Sequence, residues 1–466
     1  MTSVSSTITT TTVQSTLDAW SKCDKLDTLF VLFCTSACWL VVPAIGLAYS
    51  GYSIRGNGLA SYFPALLVML IVTIQWWAIG YSIAFADGNG IFGNPFTFAF
   101  HKGVGAEPVG TIPGILFSMF QMVFCATVCA MAVGGAAERG RIIALVPFIF
   151  LWSTFIYCPL AHMVWSEGGM LAKLGVMDFA GGTPVHICSG SSATAMSVYL
   201  SRPIFRSKRS SKRTPSHIKL HKPNNINSML FAMILIWSCW LPFESGTALS
   251  LNFKAVMAFC VTQLAAASGS LTWNALSYFE SGKKWSLDSA TLGMLAGLVM
   301  ITPAGGFVSL TDAVILGFLG SCAIYCMLKF KFTKKAHELA WVDPADVFAT
   351  HAFGGVIATL LCGIFGQKLY AGFDGVTDIH GGVLHDKNYS QFFIQLLEGS
   401  IGVIWSFSAS YFFIALIDCI PGFEVLCTDD ELMKGMDASQ MLESLVGAHA
   451  EDENDYEPFS RPLRLD

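Results

Sequence analysis

Two histidines pose the question. His186 lies in "DFAGGTPVHICSGSSAT", residues 178–194, and His351 in "DPADVFATHAFGGVIAT", residues 343–359. Both segments read D-x-A-x5-H-x3-G-x2-A-T. The alignment pairs Asp178 with Asp343, Ala180 with Ala345, His186 with His351, Gly190 with Gly355, Ala193 with Ala358 and Thr194 with Thr359. Six matches in register mark an internal repeat. Apolar runs flank each histidine, so an imidazole stands where ionisable groups are costly and usually face a pathway or a polar partner. Such a group can hydrogen-bond structurally, relay a proton or bind a metal. Two that converge by symmetry favour function. A metal is the weaker alternative, because no third Cys or carboxylate is obviously placed beside the pair.

The elements that carry these residues are membrane spans. The chain has 466 residues, of which 53% are hydrophobic and 13% charged, against about 25% charged in soluble domains. Apolar runs recur at 29–51, 61–85, 112–133, 142–164, 182–200, 227–248, 254–277, 287–304, 309–328, 346–366 and 391–418, and about 18 to 20 such residues cross a bilayer as helix. The expectation is an all-α polytopic membrane protein with eleven transmembrane helices. With the N-terminus outside, seventeen Lys and Arg fall in inward loops and three in an inward C-terminal tail, against seven outside, which accounts for all 27. Positive residues concentrate inside, so the N-terminus is out and the C-terminus in. Each repeat holds five helices. The second therefore enters the membrane inverted, a plan used by many transporters with the site at the midplane. Eight residues separate each aspartate from its histidine, about 12 Å of helix rise, which brings both histidines to the middle of a ~30 Å core. The expected organisation is a Ser/Thr-rich extracellular tail over 1–28 and a helical domain over 29–418. That domain comprises repeats 29–200 and 227–366 and a last helix 391–418, and a cytoplasmic tail covers 419–466. The 14 cysteines lie mostly in apolar runs and are expected as small core residues.

Topology gathers a second set at the outer mouth. Phe120 and Phe124 are i, i+4 on the third span, Trp165 closes the fourth in "CPLAHMVW", and Phe243 and Thr247 end the sixth in "WLPFESGT". Ring faces attract a cation by about 0.5–2 kcal/mol. Composition alone favours an ordinary interfacial aromatic belt. The basic loop 201–226 could bind anionic lipid, or a kinase or regulatory protein at Ser207, Ser210 and Ser211; an ordinary positive-inside loop is the simpler reading. Asn388 stands in an N-x-S sequon close to the last span. Outside the two histidine segments no nucleophile–base set and no cofactor motif appears, so neither an enzyme nor a nucleic-acid binder is expected.

These residues resemble the Amt/Mep/Rh family of ammonium transporters. The resemblance rests on "YSGYSIRG", "QWWAIGYSIAF", "AAERGR", "AHMVW", "DFAGGTPVHI", "LTWNALSYF", "LAGLVMITPAGGF" and "DVFATHAFGG", and runs from about residue 27 to residue 437. "AAERGR" with "DFAGGTPVH" is most similar to the fungal Mep branch. The resemblance implies that His186 and His351 are the pore's twin histidines and that Phe124 and Phe243 are its stacked gate. Phe120, Trp165 and Thr247 would form the ammonium recruitment site, with Thr247 where the family usually has serine. Asp178 would support recruitment, Thr302 would face the pore, and "GMD" (435–437) would belong to a regulatory tail. It further implies a plasma-membrane homotrimer that takes ammonium or methylammonium and needs no cofactor. The alternative is an ammonium sensor with weak or no conduction. Two departures stand out. Pro242 precedes the gate residue and is expected to disturb it, because proline removes a backbone donor. Glu244 replaces a usual asparagine, with an interfacial carboxylate slightly favoured over an anionic group beside the cation mouth.

Overall fold

The computed structural model describes residues 13–207, 223–331 and 345–443. Asp343, Ser210, Ser211 and the acidic end of the tail lie outside these residues, as does most of the Ser/Thr-rich N-terminus. In chain order the long helices are α1 (Lys25–Tyr52), α2 (Arg55–Phe85), α3 (Gly114–Ala136), α4 (Ile142–Lys173), α5 (Cys188–Ser207), α6 (Ile226–Gly246), α7 (Phe253–Glu280), α8 (Leu287–Ile301), α9 (Leu310–Phe330), α10 (Phe348–Phe365) and α11 (Ser390–Asp418). Among the described residues, nine of these are long and apolar enough to cross a membrane; α5 is more polar and α8 is shorter. Apolar backbone in lipid must satisfy its own N–H and C=O groups, which is why these runs are helical. Polar caps set several starts. Asp24 accepts from the Leu26 and Asp27 N–H groups, Asn225 from Ser228 and Asn252 from Ala255, so α1 begins a few residues before its apolar run.

Position in the bundle follows composition. α3 is buried over 83% of its apolar window and α11 over 28%, so α3 runs through the centre and α11 along the rim. Leu66, Leu70, Ile74, Phe393, Ile404 and Phe412 are exposed, an apolar outer surface suited to lipid. The first part of the C-terminal tail is tied to the helix starts. Arg141 bonds Glu424 and Glu431, each at 3.0 Å. Asp437 accepts from the Ala60 N–H at 2.8 Å, and the Gln440 side chain accepts from the Ile142 N–H at 2.7 Å. These tail side chains satisfy helix donors that would otherwise be orphaned.

The histidine segments depart from the regular helix that the eight-residue spacing implied. Asp178 does not start a helix; its carboxylate accepts from the Gly181, Gly182 and Thr183 N–H groups at 2.6–2.9 Å. Gly181 adopts φ 114°, a conformation that an L side chain rarely tolerates. A π-helical turn, Gly182–Ile187, then carries His186 into α5, and a second, Phe348–Phe353, carries His351 in α10. The two turns meet at the repeat's paired glycines. A Cβ on Gly190 would lie 2.1 Å from the Ala352 nitrogen, and one on Gly355 would lie 2.9 Å from Ile187 Cγ1 and 3.0 Å from His186 Cβ. Each half thus presses its glycine against the other half's histidine turn.

Gly190→Ala forces backbone apart and should destabilise the protein by about 1–3 kcal/mol. Gly355→Ala, where the nearest atom is a side-chain carbon, should cost less. Thermal melting of both variants checks the order; equal melting points would contradict the crossing.

A second prediction concerns the loop between α10 and α11. Lys254 bonds Asp374 at 2.9 Å, both side chains being largely buried. Burial works against the Asp374 carboxylate, but Thr377, the Val376 N–H and Lys254 more than offset it and hold its pKa at about 2. A depressed carboxylate stabilises the fold above its unfolded pKa, about 3.9, and loses that contribution as pH falls through the folded value. Asp374→Asn should therefore lower the melting point equally at pH 7 and pH 5, with the difference shrinking only toward about pH 2. A difference that fades near pH 6 would refute this.

Candidate functional site

The π turns bring His186 and His351 together. Their Nδ1 atoms stand 3.0 Å apart, with ring centroids 5.2 Å apart and planes 24° from parallel. Two facing ring nitrogens bond only when one carries the hydrogen and the other a lone pair, so the pair shares one proton along this axis. The Nε2 atom of His186 is buried without a partner. Both rings border a cavity of about 60 Å³ whose walls include Tyr49, Met131, Ile236, Trp240 and Leu298. A water needs about 10–15 Å³ by this measure, so the space admits a few molecules of that size. Among the described residues no group of three His, Cys, Asp or Glu is arranged to hold a metal ion.

A column of rings leads from the mouth to this pair. Phe124 of α3 stacks on Phe243 of α6 at 3.9 Å. Phe243 stacks on Trp240 at 4.4 Å, and Trp240 on His186 at 5.7 Å, with planes within about 20° of parallel. Phe124 also meets Phe120 edge-on at 5.1 Å and Trp165 at 5.8 Å, so it touches every other predicted aromatic of the mouth. Phe120, Phe124 and Phe243 are fully buried, which replaces the aromatic-belt reading, because belt residues would face lipid and headgroups. Thr247 is partly buried and donates its hydroxyl to the Phe243 carbonyl at 2.9 Å, leaving its oxygen lone pairs available. Its neighbour Gly246 packs against Phe120.

Two expectations about the sixth span are corrected. Helix α6 passes through Pro242 to Gly246, and the gate rings still stack. The proline sits close to the helix end and removes a single donor, which is too little to break the segment. Glu244 is not interfacial but wholly buried. Its Oε1 accepts from the Trp240 indole N–H at 3.2 Å, and its Oε2 lies against Gly305 with no hydrogen-bond partner. Helix α6 dives into the protein here, so its last turn is core rather than rim.

Asp178 and Thr302 hold the surroundings in place. The Asp178 carbonyl accepts from the Trp165 indole at 3.1 Å while its carboxylate caps the His186 turn. Thr302 accepts from the Trp240 indole at 3.1 Å and donates to the Leu298 carbonyl at 2.8 Å. Trp240 escaped the sequence reading, although it stands three residues before Phe243 and so on the same face of a helix. Chemically, the arrangement sets a cluster of packed aromatic rings and the Thr247 oxygen above an apolar cavity that disfavours a bare ion.

The family model for the Ammonium Transporter Family matches residues 29–444. The chain is 33% identical over 411 residues to ammonium transporter MEP2 of Saccharomyces cerevisiae, covering 87% of this chain and 80% of that one. It is 32% identical over 422 residues to ammonium transporter 1 of Schizosaccharomyces pombe, with coverage of 90% and 82%. The fold is similar to the crystal structure of Candida albicans Mep2, at TM-score 0.79 and 32% identity over 88% of each chain. It is also similar to a solved protein titled "Sensor Amt Protein", at TM-score 0.75 and 25% identity over 89% of this chain and 98% of that one. The apolar helices, the match over most of the length and the fungal relatives agree: this multi-pass membrane protein belongs to the Ammonium Transporter Family, whose members are transporters and not enzymes.

Proposed function

We propose that this chain moves ammonium across the plasma membrane by recruiting it at Phe120, Trp165 and Thr247, deprotonating it near the Phe124–Phe243 gate, and passing ammonia along His186 and His351. One observation carries the reading: a proton-sharing histidine pair opens on a small apolar cavity beneath a stacked aromatic gate. Ammonium gains from ring faces and from the Thr247 oxygen at the mouth. Entering the cavity as an ion is costly, and releasing a proton leaves neutral ammonia and removes most of that cost. The histidines then bond the ammonia or relay the proton. A potassium ion has no proton to release and is refused.

The same reading carries eleven crossings with the N-terminus outside and the C-terminus inside, two inverted five-helix repeats, and a homotrimer with one pore in each subunit. The basic loop 201–226 and the tail from 419 onward are its cytoplasmic regulatory surfaces. Likeness to the solved sensor protein supports a second reading, an ammonium sensor with little conduction, and one measurement separates the two.

Purified protein in proteoliposomes should take up radiolabelled methylammonium. His351→Ala should reduce that uptake by about a hundredfold, as loss of an acid–base group commonly does, and the His186/His351 double alanine should abolish it. Uptake unchanged in folded His351→Ala would remove the histidines from the mechanism. No uptake by the folded wild type would favour the sensor.

A further inference from the structure

Outside the lining of the cavity, a second polar site presses on the turn that carries His186. Its centre is Glu398, a wholly buried carboxyl within α11. Gln395 Nε2 donates to Glu398 Oε2 at 3.0 Å. Gln391 bonds Gln395 at 3.1 Å, and Asn388 bonds Gln391 at 3.3 Å, so a ladder of amides runs from the loop before α11 down to this acid. At its foot the Glu398 carboxyl stands beside that of Asp178, with the Thr183 hydroxyl next to it.

Two carboxyl groups hydrogen-bond only when one of them carries the proton. Partner counting assigns it. Asp178 accepts three backbone N–H groups, an arrangement that favours the anion. Glu398 has only the Gln395 amide and the Thr183 hydroxyl as donors, and its Oε1 is buried without a bond of good geometry, a poorer seat for an anion than that of Asp178 and one that suits an acid facing an anion. The titratable groups facing Glu398 are Asp178 on the turn and Cys362 on α10, and Glu244 of α6 faces Asp178 from elsewhere. The Cys362 thiol donates to the Met177 and Pro303 carbonyls, both at 3.3 Å, so it offers Glu398 no proton.

Asp178 joins the two ends of the candidate pathway, because its carbonyl holds Trp165 and its carboxylate holds the His186 turn. We propose that Asp178 and Glu398 form one buried proton-binding site, with the proton on Glu398, and that this proton holds the aromatic mouth and the seat of His186 in register. Glu398 is a positioning residue that acts through Asp178. When its O–H bond breaks and the proton leaves to solvent, two adjacent carboxylates remain, and their repulsion works against the Asp178 cap. The functional consequence rests on the transport reading; the proton itself does not.

The test therefore has two readouts on the full-length protein in proteoliposomes. Infrared difference spectra of wild type against Glu398→Gln should contain the carbonyl stretch of a protonated carboxyl, shifted in deuterated buffer. Its absence between pH 5 and pH 8, where folded protein is verified by size exclusion, would overturn the shared proton. In methylammonium uptake, Glu398→Leu strands Asp178 and should lower the rate roughly tenfold. Glu398→Gln, whose amide donates to Asp178 and accepts from Gln395, should recover much of that loss, and its rate relative to wild type should rise as pH is raised. Glu398→Leu at the wild-type rate, or a Glu398→Gln ratio that does not change with pH, would overturn the positioning role. A wild type with no uptake but with the infrared band would defeat the transport reading and leave the proton site standing.

Discussion

The backbone of α5 at Gly190 runs so close to Ala352 that a side chain there would stand 2.1 Å from a peptide nitrogen, and the geometry of the histidine pair depends on that approach. Imidazole is a short side chain. Two of them reach a 3.0 Å contact only if the segments bearing them nearly touch, and a Cβ at either repeat glycine widens the gap. The reciprocal contact of Gly355 with His186 and Ile187 is the same constraint seen from the other half. The internal repeat is therefore more than a trace of symmetry, since it supplies each half with the missing side chain that admits the other half's histidine.

Close approach alone would leave each histidine free to swing, and the π turns limit this. A π turn widens the helix by a residue and leaves donors unpaired near its start; such turns recur at functional sites. In the first repeat Asp178 answers those donors with three accepted N–H bonds, and Gly181 supplies the left-handed bend that lets the chain turn back onto its own cap. The same residue holds the Trp165 indole through its carbonyl. Asp178 thus ties the Trp165 indole to the His186 turn without bordering the cavity, and Glu398 stands behind it on the rim helix.

Much of this was legible in the sequence, for physical reasons that also explain what was not. The histidine pair is visible because a repeat preserves spacing and because ionisable groups are rare in apolar runs. Phe120 and Phe124 are visible through helical periodicity. The register between Asp178 and His186 misleads, because it assumes 1.5 Å of rise per residue where the chain bends at Gly181 and widens into a π turn. Glu244 misleads as well: hydropathy measures distance along a span, not depth within the bundle, and the end of α6 points inward. Glu398 was open to detection by the rule used for the histidines, being a lone acid within an apolar span, and Trp240 by its helical spacing from Phe243. Glu398 lies on the last helix, beyond both repeats, and Trp240 lies outside the histidine motif that the two halves share.

The placement of the acids has its own logic. Asp178, Glu244 and Glu398 are all buried, yet none of them borders the 60 Å³ cavity. A carboxylate in that lining would meet ammonium at low dielectric, where opposite charges attract far more strongly than in water. On the transport reading proposed above, the ion would be trapped rather than passed and would keep its proton. Set behind the wall, the same acids do different work. Glu244 takes the Trp240 indole N–H beside Thr302, which fixes the indole plane parallel to both Phe243 and His186. The rings are thereby held face to face in one column. The acids that anchor this column stay behind it, away from the cavity.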